Sequence, residues 1–213
     1  TISSFMNFGM YRRSETKNVV QDITIRNEFT TINSIIKHGY RLGETPLSRC
    51  EVEDIKITDP RRRETFTPEE YVLFYKSIRQ WVKESYDTHE RYYRSLIRDF
   101  ILIKSNSFLR FGELLQLKWG MVKVLDHRGH KIIQLTLPAE ICKNRKSREV
   151  SARGGRYFER IKEYSESHTN KNNFVFTKLN ETQRVSKSLM YKYWTQIIKF
   201  SEFDKKTKTL SYY

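Results

Sequence analysis

The hydrophobic pattern changes period along the chain, and each change marks an element. From Val20 to Tyr40 the apolar residues Ile25, Phe29, Ile32 and Ile36 recur at helical intervals, with Gly39 and Gly43 as stops. Thr67-Pro68-Glu69-Glu70 predicts a strong helix start: a capping threonine, proline at the first helical position and a glutamate placed to close a capping box. Phe74, Ile78, Trp81 and Val82 then mark its buried face. A second helix is predicted from Glu90 to Lys104, with Tyr93, Leu96, Ile97, Phe100 and Ile101 inward and Arg91, Arg94 and Arg98 on a solvated face. Between Ser107 and Trp119, Phe108, Leu109, Phe111, Leu114, Leu115 and Leu117 are too dense for a surface helix and predict a buried one.

After Trp119 the period shortens. Asp126-His127-Arg128-Gly129-His130 has turn chemistry, and Ile132, Ile133, Leu135 and Leu137 read as a strand that Pro138 ends. The stretch Ile141–Val150 predicts two short strands around a polar, basic turn. Tyr157, Phe158, Ile161 and Tyr164 give a short helix, and Phe174–Thr177 an extended segment. Ser186 caps a last helix that buries Leu189, Tyr193, Trp194 and Ile197 and turns Lys187, Lys192 and Lys199 outward. The expected fold class is therefore mainly α with a small antiparallel β-sheet. Asp59-Pro60-Arg61-Arg62-Arg63-Glu64 interrupts this pattern, because proline breaks regular structure and an arginine run resists burial. It divides the chain into a helical part, residues 1–58, a basic linker, 59–65, and a second domain, 66–213.

Charge narrows the function. With 40 Lys and Arg against 25 Asp and Glu the net charge is +15, which calls for a polyanionic partner, and nucleic acid is the commonest. The surplus is uneven: residues 1–65 hold 11 basic against 9 acidic residues, residues 66–213 hold 29 against 16. The second domain is thus the expected seat of the polyanion. A hydrophobic share of 38% argues for a folded protein. No apolar run is long enough to cross a membrane, and there is no signal peptide. Cys50 and Cys142 lie far apart and read as free thiols of a reducing, cytoplasmic compartment. His127 and His130 have ligand-like spacing, but nothing nearby completes a site, so no metal is expected.

Two stretches carry candidate chemistry. Arg110 and Glu113 sit three apart inside the apolar run Ser107–Trp119, on one side of a helical turn. A guanidinium there needs a partner, and Glu113 could hold it while the rest of its donor fork faces an anion. Taken alone, this pair reads first as a core helix with one salt bridge. The second stretch is the window from Ile141 to Arg160, which carries seven basic against two acidic residues.

Leu109-Arg110-Phe111-Gly112-Glu113-Leu114-Leu115-Gln116-Leu117-Lys118-Trp119 resembles the first catalytic box of the tyrosine recombinases, the phage-integrase family, whose pattern is roughly T-G-L-R-x-x-E-L-x-x-L-x-W. Ser107-Phe108 replaces the usual small pair. Some thirty residues on, Lys143-Asn144-Arg145-Lys146-Ser147-Arg148-Glu149-Val150 resembles the family's K-T-G-K-x-R-x-V hairpin, with Asn144-Arg145 in place of Thr-Gly. The resemblance implies the recombinase catalytic fold preceded by part of a helical core-binding domain. It implies Arg110 as the phosphate ligand, Glu113 as its support and Lys143 as the general acid, with Lys146 a weaker candidate. Arg61, Arg62, Arg63, Arg145, Lys146, Arg148, Lys187 and Lys192 would contact DNA. His38-Gly39-Tyr40-Arg41 has the lettering of the family's H-x-x-R, but it precedes the arginine box and reads as a helix end.

The implied partner is double-stranded DNA, with self-association into a tetramer on DNA in the intact enzyme, and the implied reaction needs neither metal nor nucleotide cofactor. In that reaction a tyrosine attacks a DNA phosphate, giving a 3′-phosphotyrosyl bond and a free 5′-hydroxyl. The family's second arginine box and nucleophilic tyrosine would follow Tyr213, while Tyr212 and Tyr213 lie on the wrong side of that box. The expectation is an incomplete bacterial or phage-encoded integrase that binds DNA but does not cut alone. The alternative is a catalytically inactive DNA-binding regulator or remnant derived from an integrase. A basic RNA-binding or structural protein would explain the charge but not the pairing of the two motifs.

Overall fold

The structure, a computed structural model, describes residues 8–15, 20–50 and 65–203. By its internal contacts the chain divides into two compact units, Thr1–Arg62 and Arg63–Tyr213. Arg61, Arg62, Arg63, Tyr212 and Tyr213 lie outside the described residues. Among the described residues no helix is long and apolar enough to cross a membrane.

In the first unit α1 (Phe8–Glu15) accompanies the longer α2 (Asp22–Arg41). The apolar stripe predicted for α2 closes over Ile25 and Phe29, the latter edge-on to Phe8 at 5.4 Å. Ile32 and Ile36 stay half-buried. Arg12 grips Glu28 with both arms of its fork, at 3.0 and 2.7 Å. His38 and Arg41 are exposed in the last turn of α2, as a helix end requires.

The second unit is built on α3 (Pro68–Lys83) and α4 (Thr88–Ser107). The capping box forms as the sequence predicts: Glu70 N–H donates to Thr67 Oγ1 at 3.2 Å and Thr67 N–H to Glu70 Oε2 at 2.9 Å. Phe74, Ile78, Trp81 and Val82 are all buried against the core. Helix α4 starts two residues earlier than expected, because Asp87 caps it by accepting from Glu90 N–H at 2.7 Å. It is buried nearly all round from Tyr92 to Ile103, with α3, α6, α7 and the sheet packed on it.

This central position overturns the solvated face expected for Arg94 and Arg98. Arg94 is buried, donating to Trp81 O at 2.6 Å and Glu90 Oε1 at 3.0 Å. Arg98 pairs with Asp99, a fully buried carboxylate that also takes Arg160 in an ion pair and the Tyr164 hydroxyl at 2.9 Å. Burial, with the Asp99 charge behind it, holds the Tyr164 phenol well above its usual pKa and so keeps it a donor. Only Arg91 of the three is exposed.

After the short α5 (Phe111–Leu115), strands β1 (Val122–His127), β2 (His130–Leu137) and β3 (Arg148–Arg153) form one antiparallel sheet in that order. The β1–β2 turn uses Arg128 and Gly129, both at positive φ, the twist-matched geometry for a two-residue hairpin. The alternation Ile133, Leu135, Leu137 faces the core. The two strands expected around the basic turn are placed differently. The partner of β3 is β2 itself, with Leu135 opposite Val150 and Leu137 opposite Arg148. Ile141 ends a single 3-10 turn and Cys142 is buried as an anchor, because Pro138 has no N–H to extend the ladder. Helix α6 (Gly155–Tyr164) and α7 (Lys187–Phe200) complete the unit. In α7, Met190, Tyr193 and Ile197 are buried while Leu189 and Trp194 are only partly covered. Phe174–Thr177 contributes isolated bridges, Lys118 to Phe174 and Thr177 to Arg184, not a full strand.

Asp99 neutralises two arginines inside the core, so Asp99→Ala leaves two largely covered cations unpaired. The variant is expected to lose about 3–5 kcal/mol of stability, read from the denaturant midpoint.

Candidate phosphate-binding site

Arg110 is the residue at which the chain leaves α4 and enters α5. It sits in extended conformation as the N-cap of α5. An arginine side chain has no acceptor to offer the exposed N–H groups of a helix start. Glu113 supplies the reciprocal half of a cap: its Oε2 accepts the Arg110 backbone N–H at 2.9 Å, while its Oε1 accepts Arg110 Nη1 at 3.0 Å. The sequence therefore pairs the two residues correctly, but through a cap, not through two side chains on one helix face.

The carboxylate is 2% exposed, and a second guanidinium reaches it from the sheet. Arg148 at the start of β3 donates from Nη2 to Glu113 Oε2 at 2.8 Å. The pairing of β2 with β3 brings it there, since Arg148 lies opposite Leu137. Lys104, near the end of α4, donates from Nζ to Leu109 O at 3.3 Å and feels the charge of Glu113. Three cations thus gather around one buried carboxylate, leaving a local excess of positive charge. Arg110 keeps 53% of its side chain exposed, so part of its fork is open to an anion.

Lys143, Arg145 and Lys146 lie in the exposed connection between β2 and β3. Arg145 adopts positive φ and closes the turn by donating its N–H to Cys142 O at 3.0 Å. Among the described residues no carboxylate pairs with any of these three. Lys187 opens α7 and Lys192 follows on the same helix, both exposed, with Lys192 Nζ 5.9 Å from the Tyr193 ring centroid. Helix α7 is tied to the arginine helix by Tyr191, stacked on Phe111 at 6.0 Å. Trp119, which closes the arginine box, is buried and donates from Nε1 to Ser167 Oγ at 2.9 Å. No group of His, Cys, Asp or Glu capable of holding a metal occurs among the described residues, and Cys50 and Cys142 are both buried free thiols.

The structure therefore brings Arg110, Glu113 and Arg148 into direct contact and leaves Lys143, Arg145 and Lys146 on an open basic turn. Lys104 is the member that sequence reading passed over. Its signal is a lysine closing the apolar run Phe100–Ile103, a place where a charge demands a reason.

Glu113→Ala removes the cap of α5 and the shared partner of two guanidiniums; a stability loss of about 1–3 kcal/mol is expected in chemical denaturation. Lys104 gives a pH-dependent check. Burial lowers its pKa below 10.5, with Glu113 opposing, so folding disfavours the charged form. The wild-type protein should accordingly gain stability as pH climbs from the lowered value towards 10.5. Lys104→Met lacks that gain, so its stability relative to wild type is expected to be highest near neutral pH and to decline as pH rises.

A family profile described as the phage integrase family matches residues 64–209. No curated protein sequence matches the chain. Among solved structures, the XerH site-specific recombinase bound to palindromic difH substrate in a post-cleavage complex superimposes with a TM-score of 0.65 at 17% identity, over 94% of this chain. The pre-cleavage complex of XerH with difH gives the same score and identity. The chain spans about half the length of these relatives, 52% and 54% of theirs. The mainly helical fold with its small three-stranded antiparallel sheet is the tyrosine-recombinase fold. With its arginine box and basic turn inside the matched region, the chain belongs to the phage integrase family of tyrosine recombinases.

Proposed function

We propose that this chain is the DNA-holding part of a site-specific recombinase and that it grips the phosphate at which strands are exchanged. The observation that carries this reading is the Glu113 cluster: a buried carboxylate that spends its oxygens fixing Arg110 and Arg148, while the Arg110 fork stays open and, among the described residues, no carboxylate pairs with the basic turn. The XerH relatives were captured with their difH substrate, which supports duplex DNA as the partner.

The chemistry follows from charge. Attack of a tyrosine hydroxyl on a DNA phosphate forms a P–O bond to the protein, breaks the bond to the 5′-oxygen and gathers negative charge on the non-bridging oxygens. Arg110, pre-oriented by Glu113, neutralises that charge with a forked hydrogen bond. The departing 5′-oxygen needs a proton, and Lys143 on its open turn supplies it. Arg145 and Lys146 beside it, Lys187 and Lys192 on α7, and Arg61, Arg62 and Arg63 of the basic linker add sequence-independent contacts to the backbone. Residues 1–58 act as a helical clamp on the DNA, joined by the basic linker 59–65 to the domain at 66–213.

Titration of a mixed-sequence duplex at several salt concentrations tests the reading. Wild-type binding should weaken steeply with salt. Arg110→Ala is expected to lower affinity and reduce the logarithmic salt slope by about 1. Lys143→Ala is expected to do the same if the turn lies on the DNA. Binding that ignores salt, or that prefers RNA, would sink the proposal. A covalent protein–DNA adduct on duplex substrate reports the reaction itself, whereas binding without adduct leaves a protein that occupies recombination sites without cutting.

A further inference from the structure

Three unfavourable features crowd into the two residues before the arginine box. Ser107 ends α4 with its hydroxyl buried and, among the described residues, without a hydrogen-bond partner. Phe108 follows at φ 55, in the left-handed region that glycine enters freely and a bulky residue rarely adopts. Its ring is 90% exposed. Among the described residues the other non-glycine residues at positive φ are Arg128, Arg145, Asn180 and Glu202, all polar. Among the described residues no ring stacks on Phe108, whereas the other highly exposed aromatic, Tyr86, lies over the Arg94 guanidinium at 5.7 Å.

The backbone strain stops the helix so that the chain can turn into α5, with Phe108 N–H bonded to Lys104 O at 3.2 Å. Glycine would do this without strain. A phenylalanine there gains no packing in the protein and leaves its apolar surface in water. Burial alternates along this turn: Ser107 in, Phe108 out, Leu109 in, Arg110 out. The ring and the open guanidinium are thus both exposed, two residues apart in one short segment. Strain concentrated beside a binding group points to a role with a ligand present.

We propose that Phe108 is a DNA-contacting residue whose ring packs against the deoxyribose and base edge next to the phosphate held by Arg110. The inference rests on the function proposed above and adds an apolar contact to a site otherwise built from charge. Aromatic contacts to nucleotides are sequence-tolerant, because every base and sugar offers an apolar face. Apolar contact also releases no counterions, which separates it from the cationic contacts around it.

Phe108→Gly, measured against a mixed-sequence duplex a few helical turns long, separates the possibilities. The proposal expects the variant to melt about 2–4 °C higher, because strain is relieved. It also expects duplex affinity about tenfold lower with an unchanged salt slope, and Phe108→Tyr close to wild type. A gain in stability joined to a loss of binding is a signature that a merely structural residue cannot give. Unchanged affinity, or a fall in both melting temperature and affinity, overturns the inference. A reduced salt slope in Phe108→Gly also overturns it, since the ring would then act by placing Arg110. Failure of the wild-type protein to bind duplex instead removes the function proposed above, and this inference with it.

Discussion

A carboxylate withdrawn from water needs every lone pair answered, and Glu113 obtains its answers from three directions. The backbone N–H of Arg110, the guanidinium of Arg110 and the guanidinium of Arg148 converge on it. The same contacts that neutralise the buried charge cap α5, fix the open arginine and tie the first residue of β3 to the helix. Rigidity at the site is therefore a by-product of an electrostatic necessity.

Helix α4 runs two such devices at once. Midway along it, Asp99 gathers Arg98, Arg160 and Tyr164 and locks α6 against the central helix. At its end Lys104, Ser107 and Phe108 do the opposite: a half-buried ammonium, an unpartnered hydroxyl and a left-handed aromatic all cost stability. A core of buried aliphatic and aromatic side chains around α4 carries that burden. Unfavourable local choices persist where surrounding packing over-determines the backbone, and here they abut the candidate phosphate ligand.

The basic surplus falls into two kinds once the fold is known. Arg94, Arg98 and Arg160 spend their charge on internal carboxylates and carbonyls, so they hold the scaffold, while Arg148 shares Glu113 with Arg110. Lys143, Arg145, Lys146, Lys187 and Lys192 are exposed. Net charge alone treats these groups alike. Only the exposed ones contribute a field able to attract a polyanion.

What the sequence determined by itself was local. The capping box at Thr67, the buried stripe of α3, the turn at Arg128-Gly129 and the pairing of Arg110 with Glu113 all depend on residues within a few positions of one another. Helical and strand periods therefore revealed the fold class, whereas the arginine box was marked by the resemblance of Leu109–Trp119 to a family motif. Tertiary structure alone decided the rest. Arg148 meets Glu113 across 35 residues and Arg160 meets Asp99 across 61, separations that leave no local pattern to read. Arg94 is buried where it meets Trp81 of α3, and β3 pairs with β2 across the basic turn, Leu137 opposite Arg148. Phe108 belongs to a dense apolar run yet points to water, because stopping α4 demanded a left-handed residue at that position. Periodicity states which residues are apolar; only the path of the backbone decides which of them reach the core.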